Sequence, residues 1–297
     1  GLREGLPVAV AIIDAHVANP AVKATKPGQM VMIMGTSTCH IMSSDQLSDV
    51  DGMGGVVFGG VVPDLYGYEA GQAGVGDIFA WFVNHAVPPE THEAAQAAGL
   101  KLHDYLEREA ARQKPGEHGL LALDWWNGNR STLVDANLTG LLVGLTLGTR
   151  PPDIYRALIE ATAFGTREII EAFETRGVAV TELIAAGGLP EKNAMLRQIY
   201  ADVTGRTLRL AGSAQTPALG AAIFAALAAG VSPDIEDAAE AMGKLKDEVV
   251  TPIPENQAVY EQLFREYQTL YSYFGRGENE VMKRLKAIRR EARGEVE

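Results

Sequence analysis

The chain has 297 residues, of which 46% are apolar, and a formal net charge of −12 at pH 7. This length allows one large domain or two smaller ones with a sizeable core, and the single cysteine, Cys39, excludes an intrachain disulfide. The acidic balance argues against non-specific nucleic-acid binding, and the apolar runs are too short and glycine-rich to span a bilayer. The start of the chain lacks a signal-peptide profile. We therefore expect a soluble, cytoplasmic protein with no membrane or nucleic-acid partner, and we interpret the basic segment 282–295 as a solvated helix face.

Two apolar runs open the chain. Residues 8–13 and 30–34 are dense in Val, Ile and Met, which is typical of buried strands. The first run stops at Asp14, and a carboxylate at the end of a buried strand is costly unless something uses or pairs it. Next, the glycine-rich segment 51–77 predicts a strand, a tight loop and a second strand, and a helix follows over 77–87.

The middle of the chain is less regular. Residues 91–113 predict a polar-faced helix or a pair of helices, 120–126 a strand, and 127–140 a loop. For the two tryptophans at the end of that strand, core packing beside a hydrogen-bonded loop is a more ordinary role than ligand binding.

From Pro151 the pattern becomes regularly α/β. The predicted helices cover 151–177, 191–205 and 216–230, the predicted strands cover 182–188 and 207–212, and the remainder from 232 is mostly helical. Strands that alternate with helices indicate a layered α/β fold, in which ligands bind at the carboxyl ends of strands. Three such ends are candidates: Asp14, residues 35–38, and the pair Gly187–Gly188.

The turn after the second apolar run gathers small polar residues. Gly35, Thr36, Ser37 and Thr38 bring backbone N–H groups and hydroxyls to a strand end, which is what a phosphate or an oxyanion requires. A polar hairpin turn would have the same composition, so the sequence alone leaves both readings open.

The glycine pair is a second candidate. Gly187 and Gly188 would allow a ligand to approach the backbone, and a helix that begins near Pro190–Asn193 would favour an anion at its start. A simple tight turn explains such a pair equally well. Neither a Walker A sequence nor a GxGxxG motif after the first strand supports a more specific reading.

Glu69 and Gln72 lie in the motif "YEAGQAGVGD". Their side chains could hydrogen-bond sugar hydroxyls, or they could cap the helix that begins near Asp77. The six histidines have no metal-binding spacing, so we predict no metal site formed by this chain alone.

Taken in order, the motifs resemble the C-terminal half of the FGGY family of carbohydrate kinases over nearly the whole chain. The matching segments are "DAHV" (14–17), "MGTSTC" (34–39), "YEAGQAGVGD" (68–77), "LLALDWWNGNRS" (120–131), "IYRALIEATAFGTREIIE" (154–171), "AAGG" followed by "KN" (185–193), "ALGAAIFAA" (218–226) and "YFGRGENEVMKRLKAIR" (273–289). The resemblance implies a ribonuclease-H-like, actin-like ATPase fold, with a mixed central sheet that carries helices on both faces.

The resemblance also implies residue roles. Asp14 matches the catalytic base that takes a proton from the attacking sugar hydroxyl, and Glu69 and Gln72 fall on the sugar side. The expected nucleotide contacts are Gly35, Thr36, Ser37, Gly187, Gly188, Asn193 and Gly220. The implied substrates are ATP and a small ketose, with Mg²⁺ held mainly by the phosphates and by an N-terminal domain of the same enzyme.

Within the family, the tryptophan motif and "GRGEN" favour members that convert L-ribulose to L-ribulose 5-phosphate in arabinose breakdown. The alternatives are a family member acting on xylulose, D-ribulose or glycerol, or a non-catalytic actin-like nucleotide-binding module. The Asp-x-Gly-Thr-type turn that opens family members is absent from this sequence. We therefore expect residues 1–20 to be a remnant of the sugar-binding domain, with 21–297 the nucleotide-binding domain and its helical tail. Such a fragment would be inactive alone and would self-associate, as a homodimer or a larger species, through an exposed apolar face.

Overall fold

The computed structural model describes residues 2–10 and 12–295. Its internal contacts divide the chain into two compact units. Unit 1 consists of Gly1–Gly71, Ile169–Ala194 and Arg206–Thr251. Unit 2 consists of Gln72–Glu168, Met195–Gly205 and Pro252–Glu297.

The helices and strands are numbered in chain order. The helices are α1 (Asp14–Ala21), α2 (Gly76–His85), α3 (Pro89–Ala97), α4 (Leu102–Ala110), α5 (Pro151–Thr175), α6 (Gly188–Lys192), α7 (Ala194–Thr204), α8 (Thr216–Ala228), α9 (Ile235–Met242), α10 (Pro254–Gly275) and α11 (Val281–Arg293). The strands are β1 (Gln29–Met34), β2 (Thr38–Ser44), β3 (Gly55–Phe58), β4 (Tyr66–Gln72), β5 (Leu121–Leu123), β6 (Leu141–Val143), β7 (Glu182–Ala186), β8 (Leu208–Ala211) and β9 (Leu245–Val250).

Unit 1 is built on a seven-stranded mixed sheet in the order β3-β4-β2-β1-β7-β8-β9. β1, β7 and β8 run parallel to one another, whereas β2 is antiparallel to β1 and β9 is antiparallel to β8. β1 and β7 are nearly continuous runs of buried apolar residues, as expected for parallel strands that are covered on both faces. Because the three parallel strands are adjacent, their carboxyl ends lie along one edge of the sheet.

A compact apolar core joins this sheet to α1, α8 and α9. Val31, Ile41 and Ile184 of the sheet pack in it with Ile223 of α8 and Ile235 of α9. α1 is largely buried: from Val17 to Ala21 each residue is enclosed. The core therefore fixes the position of α1 relative to the sheet.

Unit 2 combines the short hairpin β5–β6 with helices, and its core is rich in aromatic rings. Phe164 of α5 contacts the rings of Tyr260, Phe264 and Tyr267 on α10, and Trp125 packs edge-on against Tyr271. Trp125 is 1% exposed, which confirms the packing role expected from the sequence.

One predicted strand is wrong. Residues 8–10, 12 and 13 form no strand; Val8 and Val10 are 86% and 89% exposed. Asp14 accordingly does not end a strand but begins α1. An apolar run forms a buried strand only where another element covers it, and residues 8, 10 and 13 of this run are exposed.

Two smaller differences concern the later elements. β9 lies where the sequence suggested mostly helix; its polar Lys-Asp-Glu centre suits an edge strand whose outer side faces water. The helix expected over 191–205 is interrupted at Asn193, whose backbone is extended between α6 and α7.

The remaining predicted elements are confirmed within the described residues. β1, β7, β8, α5 and α8 lie where the sequence placed them, and 91–113 forms the pair α3 and α4. The basic end of the chain is the exposed helix α11. No helix among residues 2–10 and 12–295 has both the length and the apolar character needed to cross a membrane.

Candidate functional site

The turn between β1 and β2 lies at the carboxyl edge of the parallel strands. The backbone N–H of Gly35 donates to the carbonyl oxygen of Ser37 at 2.9 Å, which tightens the turn. Gly35 and Thr36 are exposed, Ser37 is partly exposed, and Thr38 is buried as the first residue of β2. The turn therefore presents backbone groups and two hydroxyls to solvent at a strand end, an arrangement suited to phosphate oxygens.

Gly187 follows β7 directly beside the end of β1. Its φ is 105°, in the left-handed region that favours glycine, and a Cβ at this position would collide with the carbonyl oxygen of Met34. By contrast, a Cβ on Gly188 would meet no atom within 4 Å. Close packing against Met34 thus requires glycine at 187, whereas Gly188 opens towards free space.

A pocket of about 230 Å³ opens at the carboxyl ends of β7 and β8. Its walls are backbone, short or apolar side chains, Lys192 and one ion pair, in which Lys246 Nζ lies 3.4 Å from Glu191 Oε1. The lining residues are Ala185, Ala186, Gly187, Gly188, Pro190, Glu191, Lys192, Leu210, Ala211, Ser213, Ala214 and Lys246. We call it the strand-end pocket. It is concave and is lined by charged side chains and backbone polar groups, a combination that can hold a nucleotide.

Asn193 and Gly220 do not line the strand-end pocket. Asn193 is buried at the break between α6 and α7. Gly220 is buried in α8, where a Cβ would overlap the carbonyl oxygen of Val17 in α1. Close approach of two helices therefore explains this glycine without a ligand.

A second pocket, of about 390 Å³, lies between α1 and the β3–β4 hairpin. Two of its lining side chains are polar: His16 of α1 and Glu69 of β4, which are joined by a 2.9 Å contact between Nε2 and Oε2. The others are apolar or glycine: Ile12, Ile13, Gly54, Gly55, Val57, Gly60, Val61 and Gly67. We call it the α1–hairpin pocket. The predicted sugar contact Glu69 thus lies in a concave site, partly exposed to an incoming ligand.

Asp14 is the first residue of α1 and is exposed. Its Oδ1 accepts from the N–H of Ala15 at 2.8 Å, so the carboxylate lies at the positive end of the helix. His16 follows two residues later, which places Asp14 on the helix that forms one wall of the α1–hairpin pocket. Asp14 is not among the residues that line this pocket, but its exposed carboxylate is accessible to a substrate hydroxyl.

Gln72 has a different environment, inside unit 2. Its side chain is 3% exposed; Nε2 donates to Asp124 Oδ2 at 2.7 Å and to the carbonyl oxygen of Thr162 at 2.8 Å. Its Oε1 accepts from the hydroxyl of Thr166 at 2.9 Å. Neither Gln72 nor Glu69 caps α2, because no side chain makes a capping hydrogen bond at the start of this helix.

Asp124 is the acid at the centre of this network. Burial raises its pKa from 3.8 to about 6, and the hydrogen bonds from Gln72 and Tyr267 offset part of that increase. The hydroxyl of Tyr267 donates to Oδ1 at 3.1 Å. Gln72 and Tyr267, the side chains that donate to this carboxyl, are neutral, which explains why burial dominates its titration.

The sequence alone indicated no role for His16 or Asp124, although both lie in motifs that carry the family resemblance. Their spacing gave no signal, because the partner of each is more than fifty residues away in the chain. Among residues 2–10 and 12–295, no group of three or more His, Cys, Asp or Glu side chains could hold a metal ion.

The sequence of this chain is similar to those of known carbohydrate kinases. The C-terminal domain of the FGGY family of carbohydrate kinases matches residues 30–229. Ribulokinases from Halalkalibacterium halodurans, Geobacillus thermodenitrificans and Mycolicibacterium smegmatis are 58%, 57% and 54% identical over 97%, 100% and 98% of this chain. The aligned region is 52–53% of their own length, so the chain spans about half the length of the curated relatives it matches.

Solved structures of sugar kinases share the fold. A xylulose kinase from Rhodospirillum rubrum has a TM-score of 0.79 and 27% identity, covering 92% of this chain and 52% of that one. A glycerol kinase from Plasmodium falciparum, solved with ADP, has a TM-score of 0.70 at 16% identity, covering 86% of this chain and 49% of that one. The likeness to the second is one of fold alone.

Proposed function

Because the chain belongs to the FGGY family of carbohydrate kinases, we propose that it forms part of an ATP-dependent kinase that converts L-ribulose to L-ribulose 5-phosphate. The observation that carries this proposal is the 58% identity to a ribulokinase over 97% of the chain. By comparison, the similar xylulose kinase structure is 27% identical. The activity is that of a whole protein, since the relatives are about twice as long as this chain.

In the proposed reaction, Asp14 accepts the proton of the ketose hydroxyl as its oxygen attacks the γ-phosphorus of ATP. The bond between the γ-phosphorus and the bridging oxygen breaks, and ADP leaves with the electron pair. An exposed carboxylate at the start of α1 supports this role. The presence of such a base also favours a kinase over a module that only binds nucleotide.

The nucleotide would bind along the carboxyl edge of β1, β7 and β8. Gly187 and Gly188 would border the adenosine in the strand-end pocket, and Gly35, Thr36 and Ser37 would contact the phosphates. Support comes from the pocket itself and from the exposed backbone of the turn. For Asn193 and Gly220 we propose indirect roles, because neither lines this pocket.

For the sugar, we propose that Glu69 accepts hydrogen bonds from ketose hydroxyls in the α1–hairpin pocket. A carboxylate suits this role because it accepts several hydrogen bonds at once. For Gln72 we propose support of the buried network rather than direct contact with the sugar, given its burial.

The family typically uses a divalent metal together with ATP, and Mg²⁺ would neutralise charge on the phosphates. The described residues offer no cluster of three His, Cys, Asp or Glu side chains for it, so the phosphates and the N-terminal domain of the same enzyme would hold it. A cytoplasmic location and a homodimer stay predictions.

The test is a coupled assay of ADP release with the full-length protein, comparing L-ribulose, D-ribulose, D-xylulose and glycerol at equal concentrations. We expect kcat/KM to be highest for L-ribulose. A clear preference for another acceptor would show that L-ribulose is not the substrate. If a folded protein shows no acceptor-dependent release of ADP, the kinase proposal is contradicted.

A further inference from the structure

The α1–hairpin pocket has an unusual balance of chemistry. Eight of its ten lining residues are apolar or glycine, and the two polar side chains, His16 and Glu69, contact each other. They are only 16% and 20% exposed. A carboxylate in such surroundings is costly unless a donor satisfies it, and the imidazole supplies that donor.

The backbone beneath Glu69 is fixed by the hairpin. Its carbonyl oxygen accepts from the N–H of Gly54 at 2.7 Å, and it pairs across the strands with Gly55. The orientation of its three-bond side chain depends on what the carboxylate contacts, and Nε2 of His16 lies 2.9 Å from Oε2. A long side chain loses rotamer entropy when a ligand orders it, and a bond that orders it beforehand reduces this cost.

The imidazole can provide that order because α1 is itself held in place. Ala15 and Val17, on either side of His16, are buried, and α8 approaches so closely at Gly220 that no Cβ fits against Val17. His16 therefore projects from a fixed backbone towards Glu69. The Nε2–H donates to Oε2, since an ionised carboxylate can only accept.

We propose that His16 is a positioning residue for sugar recognition: it fixes the Glu69 carboxylate in the orientation that receives a hydroxyl of the acceptor. This inference rests on the proposed function of the same pocket. It assigns His16 an effect on acceptor affinity and none on ATP affinity or on the chemical step, which belongs to Asp14.

The experiment is a double-mutant cycle in the full-length protein, with His16→Leu, Glu69→Ala and the double variant. Loss of a hydrogen bond to a charged group predicts that His16→Leu raises the KM for L-ribulose by about tenfold. We expect kcat to change by less than about threefold, and the KM for ATP to be unchanged, because neither residue contacts the reacting atoms. The double variant should resemble the worse single variant, because both remove one interaction.

Two further variants separate positioning from packing. His16→Gln retains an N–H donor near the position of Nε2 and should restore most of the affinity, whereas His16→Asn, whose amide is too short, should not. His92, exposed on α3, provides the matched control: His92→Leu should leave the acceptor KM unchanged. If His16→Leu does not fold, the same comparison is made between the Gln and Asn variants.

Calorimetric titration with L-ribulose distinguishes failure of this inference from failure of the proposed function. A wild type that binds L-ribulose without turnover contradicts the kinase proposal, and the affinities of the variants still test His16. Equal acceptor affinity in wild type and His16→Asn, or additive effects in the cycle, would overturn the positioning role. A wild type that neither binds nor phosphorylates L-ribulose overturns both.

Discussion

Glu69 and Gln72 are three residues apart in one motif, yet they serve two different regions. Glu69 lies in the α1–hairpin pocket of unit 1, partly exposed and in contact with His16. Gln72 is enclosed in unit 2, where its amide bonds to Asp124 and to the backbone of Thr162. The first can meet a ligand, whereas the second completes a buried network.

The spacing explains the difference. Successive side chains of a strand point to opposite faces, so residues separated by an odd number of positions leave β4 on different sides. A motif is therefore not a single site. Its members divide according to the faces of the element that carries them, and each must be tested by a different measurement.

The largest effect is expected at Asp14, because a change to the proposed base should affect turnover more than sugar binding. Asp14→Asn removes the proposed base, and we expect turnover with L-ribulose to fall by at least about 10²-fold. The KM for the sugar should change much less, because the amide keeps the shape and one oxygen. Steady-state kinetics decide this, and near-normal turnover would show that Asp14 is not the base.

At the strand-end pocket, Gly187 and Gly188 differ in the space around them, so an alanine at each position should have different effects on stability. Gly187→Ala places a methyl group against the Met34 carbonyl at a φ of 105°, and should lower the free energy of unfolding by about 1–3 kcal/mol while weakening ATP binding. Gly188→Ala is the matched control for stability, since its Cβ meets open space. Thermal melts with and without ATP measure both, and equal melting temperatures would refute the packing explanation.

Glu69 and Gln72 should give opposite results when each is changed. Glu69→Gln should raise the KM for L-ribulose by about tenfold with little change in stability. Gln72→Leu leaves buried polar partners unsatisfied and should cost about 1–3 kcal/mol of unfolding free energy, with the sugar KM nearly unchanged. Kinetics and denaturant unfolding of the same pair check both results. A loss of sugar affinity in a fully stable Gln72→Leu variant would show that Gln72 contributes directly to sugar binding.

The smallest effect is a pH dependence in the buried network. The pKa of Asp124 is raised by burial to about 6 in the folded state, so the folded protein binds this proton more tightly than the unfolded chain does. The resulting stability is fully present below about pH 4 and is lost as the pH rises to about 6. The Tm difference between wild type and Asp124→Asn should therefore shift in favour of wild type as the pH falls from 7 to 5. A difference that stays constant over this range would show that Asp124 does not titrate there.

Sequence reasoning was most successful where one local pattern decides the structure. The apolar runs of β1 and β7 and the amphipathic period of α5 identify these elements without knowledge of their neighbours. The glycine at 187 was also recognisable as a special backbone position, and its φ confirms this. Its proposed ligand contact stays a prediction.

Prediction from the sequence was least successful where a residue's environment depends on a partner that is distant in the chain. Residues 8–13 are apolar enough for a strand, but burial depends on a covering element that no local pattern reveals. The same limit applies to Gly220. A glycine is required there by the backbone of Val17, which lies about two hundred residues earlier in the chain. His16 and Asp124 likewise acquire their surroundings only from the fold.

We propose that the α1–hairpin pocket receives the acceptor and that the carboxyl edge of β1, β7 and β8 receives the nucleotide. The most direct test is a crystal structure of the full-length protein with ADP and L-ribulose bound. We expect a ketose hydroxyl within hydrogen-bonding distance of Glu69, with Glu69 still bonded to His16, and the adenosine beside Gly187 and Gly188. A ketose bound away from Glu69, or a nucleotide bound outside the strand-end pocket, would contradict this assignment of the two sites.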